Sequence, residues 1–94
     1  MKYINFSDED FQRANTIDLA RYLQSKGERL KKVGSTYQYI YTDGSGTHDS
    51  VTISGAKWYD HKNQRGGYAV RFLQEFFGMS FQEAMLELLG GHTS

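Results

Sequence analysis

The stretch His48-Asp49-Ser50-Val51-Thr52-Ile53, followed by Lys57-Trp58-Tyr59 and then by Gly66-Gly67-Tyr68-Ala69-Val70-Arg71-Phe72-Leu73, decides the fold. In its first part Val51 and Ile53 take alternate positions, the period of a strand with one buried face. Ser54-Gly55 reads as a tight hairpin turn and Lys57-Trp58-Tyr59 as the returning strand. Beyond Gly66-Gly67 the period becomes helical: Ala69, Phe72, Leu73, Phe76 and Phe77 share one face, and Gly78 stops the helix.

The same two periods extend outward. Towards the C-terminus, Ser80-Phe81-Gln82-Glu83 is a capping box, with Met79 and Ala84 placed as a hydrophobic staple. Phe81, Ala84, Met85, Leu88 and Leu89 then make a second apolar stripe ending at Gly90. Two amphipathic helices joined by Gly78-Met79-Ser80 form a helical hairpin that must pack on the sheet to bury both stripes. Gly91-His92-Thr93-Ser94 is expected to fray.

Towards the N-terminus, Tyr37, Tyr39 and Tyr41 alternate with Gln38 and Ile40, which predicts a strand entered from a turn at Gly34-Ser35. If one face of that strand packs inward, all three rings go with it. Asp43-Gly44-Ser45-Gly46 is the next turn. A helix is predicted from near Thr16 to Lys26, with Leu19 and Leu23 inward and Gly27 as its stop. Ser7-Asp8-Glu9-Asp10 opens a short helical turn, Ser7 capping it and the acidic residues facing the helix dipole favourably. The predicted class is α+β: a small antiparallel sheet of three or four strands, an N-terminal helix and a C-terminal helical hairpin.

Composition sets the limits. Ninety-four residues make one domain, 1–94, that buries only about 60–65 % of its unfolded surface. Seven Tyr, six Phe and Trp58 partly offset the short length with large apolar areas. With no cysteine there are no disulfides and no thiolate metal sites, which fits a reducing cytoplasm. Met1-Lys2-Tyr3-Ile4-Asn5-Phe6 lacks the apolar stretch of an export signal, and no run approaches membrane-spanning length. A soluble cytoplasmic protein is expected.

Net charge is zero, but unevenly spread. From Arg21 to Arg71 nine basic residues stand against Glu28, Asp43, Asp49 and Asp60. A basic centre between acidic flanks is compatible with a phosphate-facing surface. Ordinary solvated charge is an equally good reading of a neutral chain.

The order helix, basic hairpin, turn, hairpin, Gly-Gly, helix, helix resembles the N-terminal zinc-binding domain of bacterial DNA primases. It is closer still to the degenerate versions that precede Toprim domains in plasmid and conjugative-element proteins. Thr16-Ile17-Asp18-Leu19-Ala20 resembles the family's opening helix, and Leu30-Lys31-Lys32-Val33-Gly34-Ser35-Thr36-Tyr37 its basic turn before the first strand. Gly66 to Leu73, then Phe81-Gln82-Glu83-Ala84 and Leu88-Leu89, resemble its closing helical hairpin, so residues 16–90 carry the likeness through order and spacing.

The resemblance implies a zinc-ribbon-like sheet whose metal has been lost. Zinc in the family is held by a Cys-x-x-His pair and a Cys-x-x-Cys pair, and the corresponding positions here are Ser45, His48, Asp60 and Asn63. Ser and Asn are poor ligands for a structural zinc site, so neither metal nor other cofactor is expected. His48 reads instead as a polar turn residue that hydrogen-bonds where a metal once held the loop; a makeshift site would have to combine His48, Asp60 and His61. Because zinc contributes about 10 kcal/mol or more to folding of such domains, something must replace it. The rings of Tyr37, Tyr39, Tyr41, Trp58 and Tyr59 with the Phe-rich helix are the candidates.

Basic and aromatic residues interleave at Lys31, Lys32, Tyr37, Lys57, Trp58, Tyr59, Lys62 and Arg65. Cations tracking phosphates beside rings that stack on bases suit single-stranded nucleic acid, each stacked base being worth about 1–3 kcal/mol. The competing reading puts the rings in the core, towards which Trp58 leans while the tyrosines are balanced, and leaves the lysines solvated. Gly66-Gly67 reads as a tight strand-to-helix turn before it reads as an anion nest. No nucleophile elbow, P-loop or zinc-protease motif is present, and Asp8-Glu9-Asp10 is dipole compensation, so no catalysis is expected. The expected function is a non-catalytic module binding DNA, preferably single-stranded, in a replication or mobilisation protein of a mobile element. The alternative is a module that docks a primase, helicase or relaxase protein without touching DNA.

Overall fold

The middle of the chain folds as five antiparallel strands in a meander, the alternating stretches of β2 to β4 at its centre. The computed structural model describes residues 6–90, and the expected fraying of 91–94 lies outside them. Strands β1 (Arg29–Val33), β2 (Thr36–Asp43), β3 (Gly46–Ser54), β4 (Lys57–Asp60) and β5 (Arg65–Gly67) pair in sequence order. Helices α1 (Asp8–Asn15) and α2 (Leu19–Ser25) precede the sheet; α3 (Ala69–Phe77) and α4 (Phe81–Leu88) follow it. The class is α+β, with N-terminal helices and a C-terminal helical hairpin.

Each helix starts where its residues supply a cap. Ser7 and Asp10 close one capping box, and the first helix runs two turns rather than one. Ser80 and Glu83 close the other, with Glu83 N–H donating to Ser80 Oγ at 3.1 Å and Ser80 N–H to Glu83 Oε1 at 2.8 Å. Helix α2 begins later than Thr16, because the Asp18 carboxylate accepts from Arg21 N–H and makes Asp18 the cap, while Thr16 closes α1. Gly78, at φ 68°, ends α3 in the left-handed conformation that lacks a Cβ penalty.

The sheet has five strands rather than three or four. The fifth is Arg65-Gly66-Gly67, which pairs with β4 instead of forming the expected turn into the helix. Its glycine has a steric cause: a Cβ on Gly66 would lie 2.3 Å from the Trp58 carbonyl oxygen. The β3–β4 turn uses Gly55-Ala56, one position later than Ser54-Gly55, and the Leu19 N–H donates to the Gly55 carbonyl at 3.0 Å. That bond ties the start of α2 to the hairpin.

The helices lie on one face of the sheet. Tyr39, Val51, Ile53 and Trp58 project from the strands into a core with Leu19, Leu23, Phe72, Leu73 and Met85, all buried. The Phe72 ring meets Tyr39 at 5.1 Å and Trp58 at 5.6 Å, both edge-on, and Phe76 adds edge contacts to Tyr39, Tyr41 and Trp58. This ring cluster joins sheet to α3. Tyr37 and Tyr41 are half-buried against it, so all three tyrosines of β2 face inward; Tyr59 takes no part. The Tyr22 hydroxyl donates to Glu87 at 2.7 Å, and Lys26 pairs with the same carboxylate at 2.7 Å, linking α2 to α4. Among the described residues no buried side-chain polar atom lacks a partner, and no helix is long and apolar enough to cross a membrane.

Candidate nucleic-acid interface

Because the helices cover one face, the residues of opposite parity form the other. Its positions are Arg29, Lys31 and Val33 of β1, Gln38 and Ile40 of β2, Thr52 and Ser54 of β3, and Lys57 and Tyr59 of β4. Register sets four of them in a row: Lys31 opposite Gln38, Gln38 opposite Thr52, Thr52 opposite Tyr59. Three strand spacings separate Lys31 from Tyr59, about 14 Å. Gly66 ends the row at the β5 edge. Beside it, the Lys57 ammonium stands 5.9 Å from the centroid of the Tyr68 ring.

The row has an aromatic and a basic end. Tyr59 is 43 % exposed, with its ring edge-on to His61 at 5.1 Å. His61 Nε2 lies 2.9 Å from Thr52 Oγ1, which holds the imidazole on this face. Thr52, Ser54, Lys57, Tyr59 and His61 border a shallow depression of about 330 Å³. The bulge in β3 sets Asp49 and Ser50 against Ile40, and Asp49 is exposed there.

Of the residues expected to contact nucleic acid, Lys31, Lys57 and Tyr59 come together here. The others do not. Trp58 is 3 % exposed, and its indole N–H donates to the Tyr68 carbonyl at 2.9 Å. Its ring is core and offers no stacking surface, which corrects its inclusion. Lys32 and Tyr37 pair with each other on the opposite face. Arg65 has the parity of Asp60 and bonds Glu75 on α3 at 2.8 Å, turned away from the row. Lys62 is exposed in the β4–β5 turn. Gly66-Gly67 is ladder backbone rather than an anion nest. Arg29, Gln38, Thr52 and His61 belong to the face and were missed; the two-residue period of β1 to β4 was the signal that could have found them.

The four positions that the resemblance set against zinc ligands, Ser45, His48, Asp60 and Asn63, form two hydrogen-bonded pairs. Ser45 Oγ and Asp43 Oδ1 each lie 2.9 Å from His48 Nε2, and Ser45 donates to the same Asp43 oxygen through its hydroxyl at 2.7 Å and its N–H at 2.8 Å. Those bonds, the Ser45 hydroxyl and N–H first and then His48, hold the Asp43 carboxyl down at about 2. In the second pair, Asp60 Oδ2 accepts the Asn63 side-chain amide at 2.8 Å, while Oδ1 accepts from the Ser50 hydroxyl and the Lys62 and Asn63 N–H groups. Burial by itself raises the Asp60 pKa. The donors, Asn63 and Ser50 foremost, outweigh it and hold the carboxyl below its ordinary value.

Between the pairs stands Tyr41. Its ring lies 4.9 Å from that of His48, and its hydroxyl is pushed up by desolvation first and then by the charges of Asp60 and Asp43. His48 is hydrogen-bonded as expected, but from within β3, paired with Tyr41, rather than from a turn. The makeshift trio of His48, Asp60 and His61 is not assembled: Asp60, the last residue of β4, is buried, while His61 just after it bonds Thr52 on the other face. Among the described residues no group of three or more His, Asp or Glu side chains is placed to hold a metal ion. No protein-family model matches this chain, nor does any curated protein sequence.

Proposed function

We propose that this chain is a non-catalytic module that binds single-stranded nucleic acid, DNA in the first instance, across the uncovered face of its sheet. The observation that carries the reading is the row Lys31–Gln38–Thr52–Tyr59, in direct cross-strand register. It sets a cation, two hydrogen-bonding side chains and an exposed ring in a line about 14 Å long. Arg29 and Lys57 widen the positive strip, and phosphates follow such a strip while a base lies on the ring. Single strands suit it because a flat sheet reaches base faces that a duplex keeps stacked. The likeness to primase zinc-binding domains supports a role in replication or mobilisation of a mobile element.

Fluorescence anisotropy with a labelled single-stranded oligonucleotide at two salt concentrations tests the reading. Binding whose log affinity falls linearly with log salt is expected. Absence of binding at low salt would sink it and leave the alternative, docking of a primase, helicase or relaxase protein without DNA contact.

A further inference from the structure

The row does not end at Tyr59. Its last member, Gly66, also borders a groove beyond the β5 edge, about 380 Å³ in volume, together with Phe11, Tyr68, Arg71, Gln74 and Phe81. A second depression of about 350 Å³ shares Phe11, Asn15 and Tyr68 with it. Three large rings stand unusually open here, Phe11 at 42 % and Tyr68 and Phe81 at 44 % each. The Phe11 and Phe81 rings stack on each other at 5.9 Å. So much exposed ring in one place on a small domain marks a binding surface.

We infer that this groove is a base-binding subsite, taking one nucleobase and its phosphate from the strand that crosses the sheet. The inference rests on the nucleic-acid reading of the sheet face. Three features select a nucleotide. The rings offer flat apolar faces, and the Asn15 and Gln74 amides offer the in-plane donors and acceptors that a base edge needs. Asn15 Oδ1 already accepts the Val70 N–H at 3.1 Å, which leaves its Nδ2 group as the donor.

The charge is also of the right sign: neither depression has a carboxylate in its lining, while Arg71 borders the larger one. Glu75 sits 2.8 Å from Arg65 but 3.9 Å from Arg71, so its charge is committed mainly to Arg65 and the Arg71 guanidinium is left for a phosphate. Sheet and groove meet at Gly66, which pairs with Tyr59 and borders the groove, and Lys57 stands over Tyr68 beside it.

An amide-resolved NMR titration with a short single-stranded oligothymidylate tests this. Lys31, Gln38 and Thr52 report the sheet, and Gly67, Val70 and Arg71 report the groove. Both sets are expected to shift and saturate together. Tyr68→Ala should weaken affinity roughly 5- to 100-fold while the sheet amides still respond, and Tyr68→Phe should keep most of the affinity. Tyr68 uses only its backbone carbonyl to hold Trp58, so both variants should fold. Shifts confined to the sheet would overturn the groove inference and leave the sheet reading standing. Shifts confined to the groove would keep the subsite and overturn the sheet path. Silence in both sets would remove both.

Discussion

Asn63 donates its side-chain amide to Asp60 Oδ2 at 2.8 Å, three residues back along the chain and across the β4–β5 turn. The proposed likeness to primase zinc-binding domains would set these residues against the second pair of zinc ligands. Ser45 and His48, 2.9 Å apart, would correspond to the first. Each of these turns is closed by its own hydrogen bonds. Such bonds are individually worth about 0.5–1.5 kcal/mol, or about 1.5–3 with a charged partner. The sheet therefore relies on several of them, and on the ring cluster of Tyr39, Tyr41, Trp58, Phe72 and Phe76.

Asp60 is the first place to test this. It is fully buried and accepts from Ser50, Lys62 and Asn63. Asp60→Ala strands those donors and should lower stability by roughly 2–4 kcal/mol in urea unfolding. Asp60→Asn should cost less, because Asn63 can rotate its amide to present an oxygen. The pH dependence follows from the sign of the shift. A carboxyl held below its unfolded value of about 3.9 stabilises the fold above that pH and loses the contribution as pH falls through the folded value. The acid limb of the stability curve should flatten in Asp60→Asn; an unchanged limb would contradict the assignment.

The alkaline limb has its own pair. Burial first, then the hydrogen bond to Glu28, pushes the Tyr39 hydroxyl well above the usual phenol range, and burial with the bond to Glu87 does the same to Tyr22. Phenols raised in the folded state stabilise it below about pH 10 and lose that contribution as pH climbs towards their folded values. Tyr39→Phe and Tyr22→Phe should each cost about 0.5–1.5 kcal/mol at neutral pH. Each should also lose less stability than the parent between pH 9 and 11. Urea midpoints across that range decide it.

Glycine substitutions separate close approach from mere flexibility. A Cβ at Gly66 would press on the Trp58 carbonyl at 2.3 Å, so Gly66→Ala should force β5 from β4 and cost about 2–3 kcal/mol. Gly44 has open space and no left-handed φ, so Gly44→Ala should stay within about 0.5 kcal/mol of the parent. Equal effects from both would show that β5 does not hold its register.

Neighbouring lysines give the sharpest test of the interface. Lys31 and Lys32 are adjacent in the chain and lie on opposite faces of β1, Lys31 opposite Gln38 and Lys32 opposite Tyr37. Lys31→Gln should weaken oligonucleotide binding and reduce the salt slope by about 0.7 to 1, whereas Lys32→Gln should change neither. Equal losses would mean that binding follows overall charge rather than the row.

Much of the fold was legible because its signals are local. The serine and glutamate spaced three apart at Ser80 and Glu83 announce a capping box that forms as read. Tyr37, Tyr39 and Tyr41 alternate, and all three turn inward. β5 was not legible: three residues with two glycines carry no alternation, and only the proximity of β4 makes them a strand. The site was harder to read. Lys57, Trp58 and Tyr59 look alike as basic-aromatic neighbours, yet the middle one is core and the outer two are surface. Arg65 looked available until folding brought Glu75 beside it from α3.

By itself the sequence determined the kinds of element and most of their limits, since hydrogen-bonded turns, caps and side-chain periodicity act over a few residues. It also determined which residues share a face of each strand. Which face the helices cover, which strand edge remains open and which cation finds a carboxylate were decided only by the tertiary structure. Those outcomes depend on groups distant in the chain and close in space, such as Lys31 and Tyr59 in one row, or Tyr68 and Phe81 in one groove. Alternation divides a strand into two faces; packing chooses which one is left to the solvent.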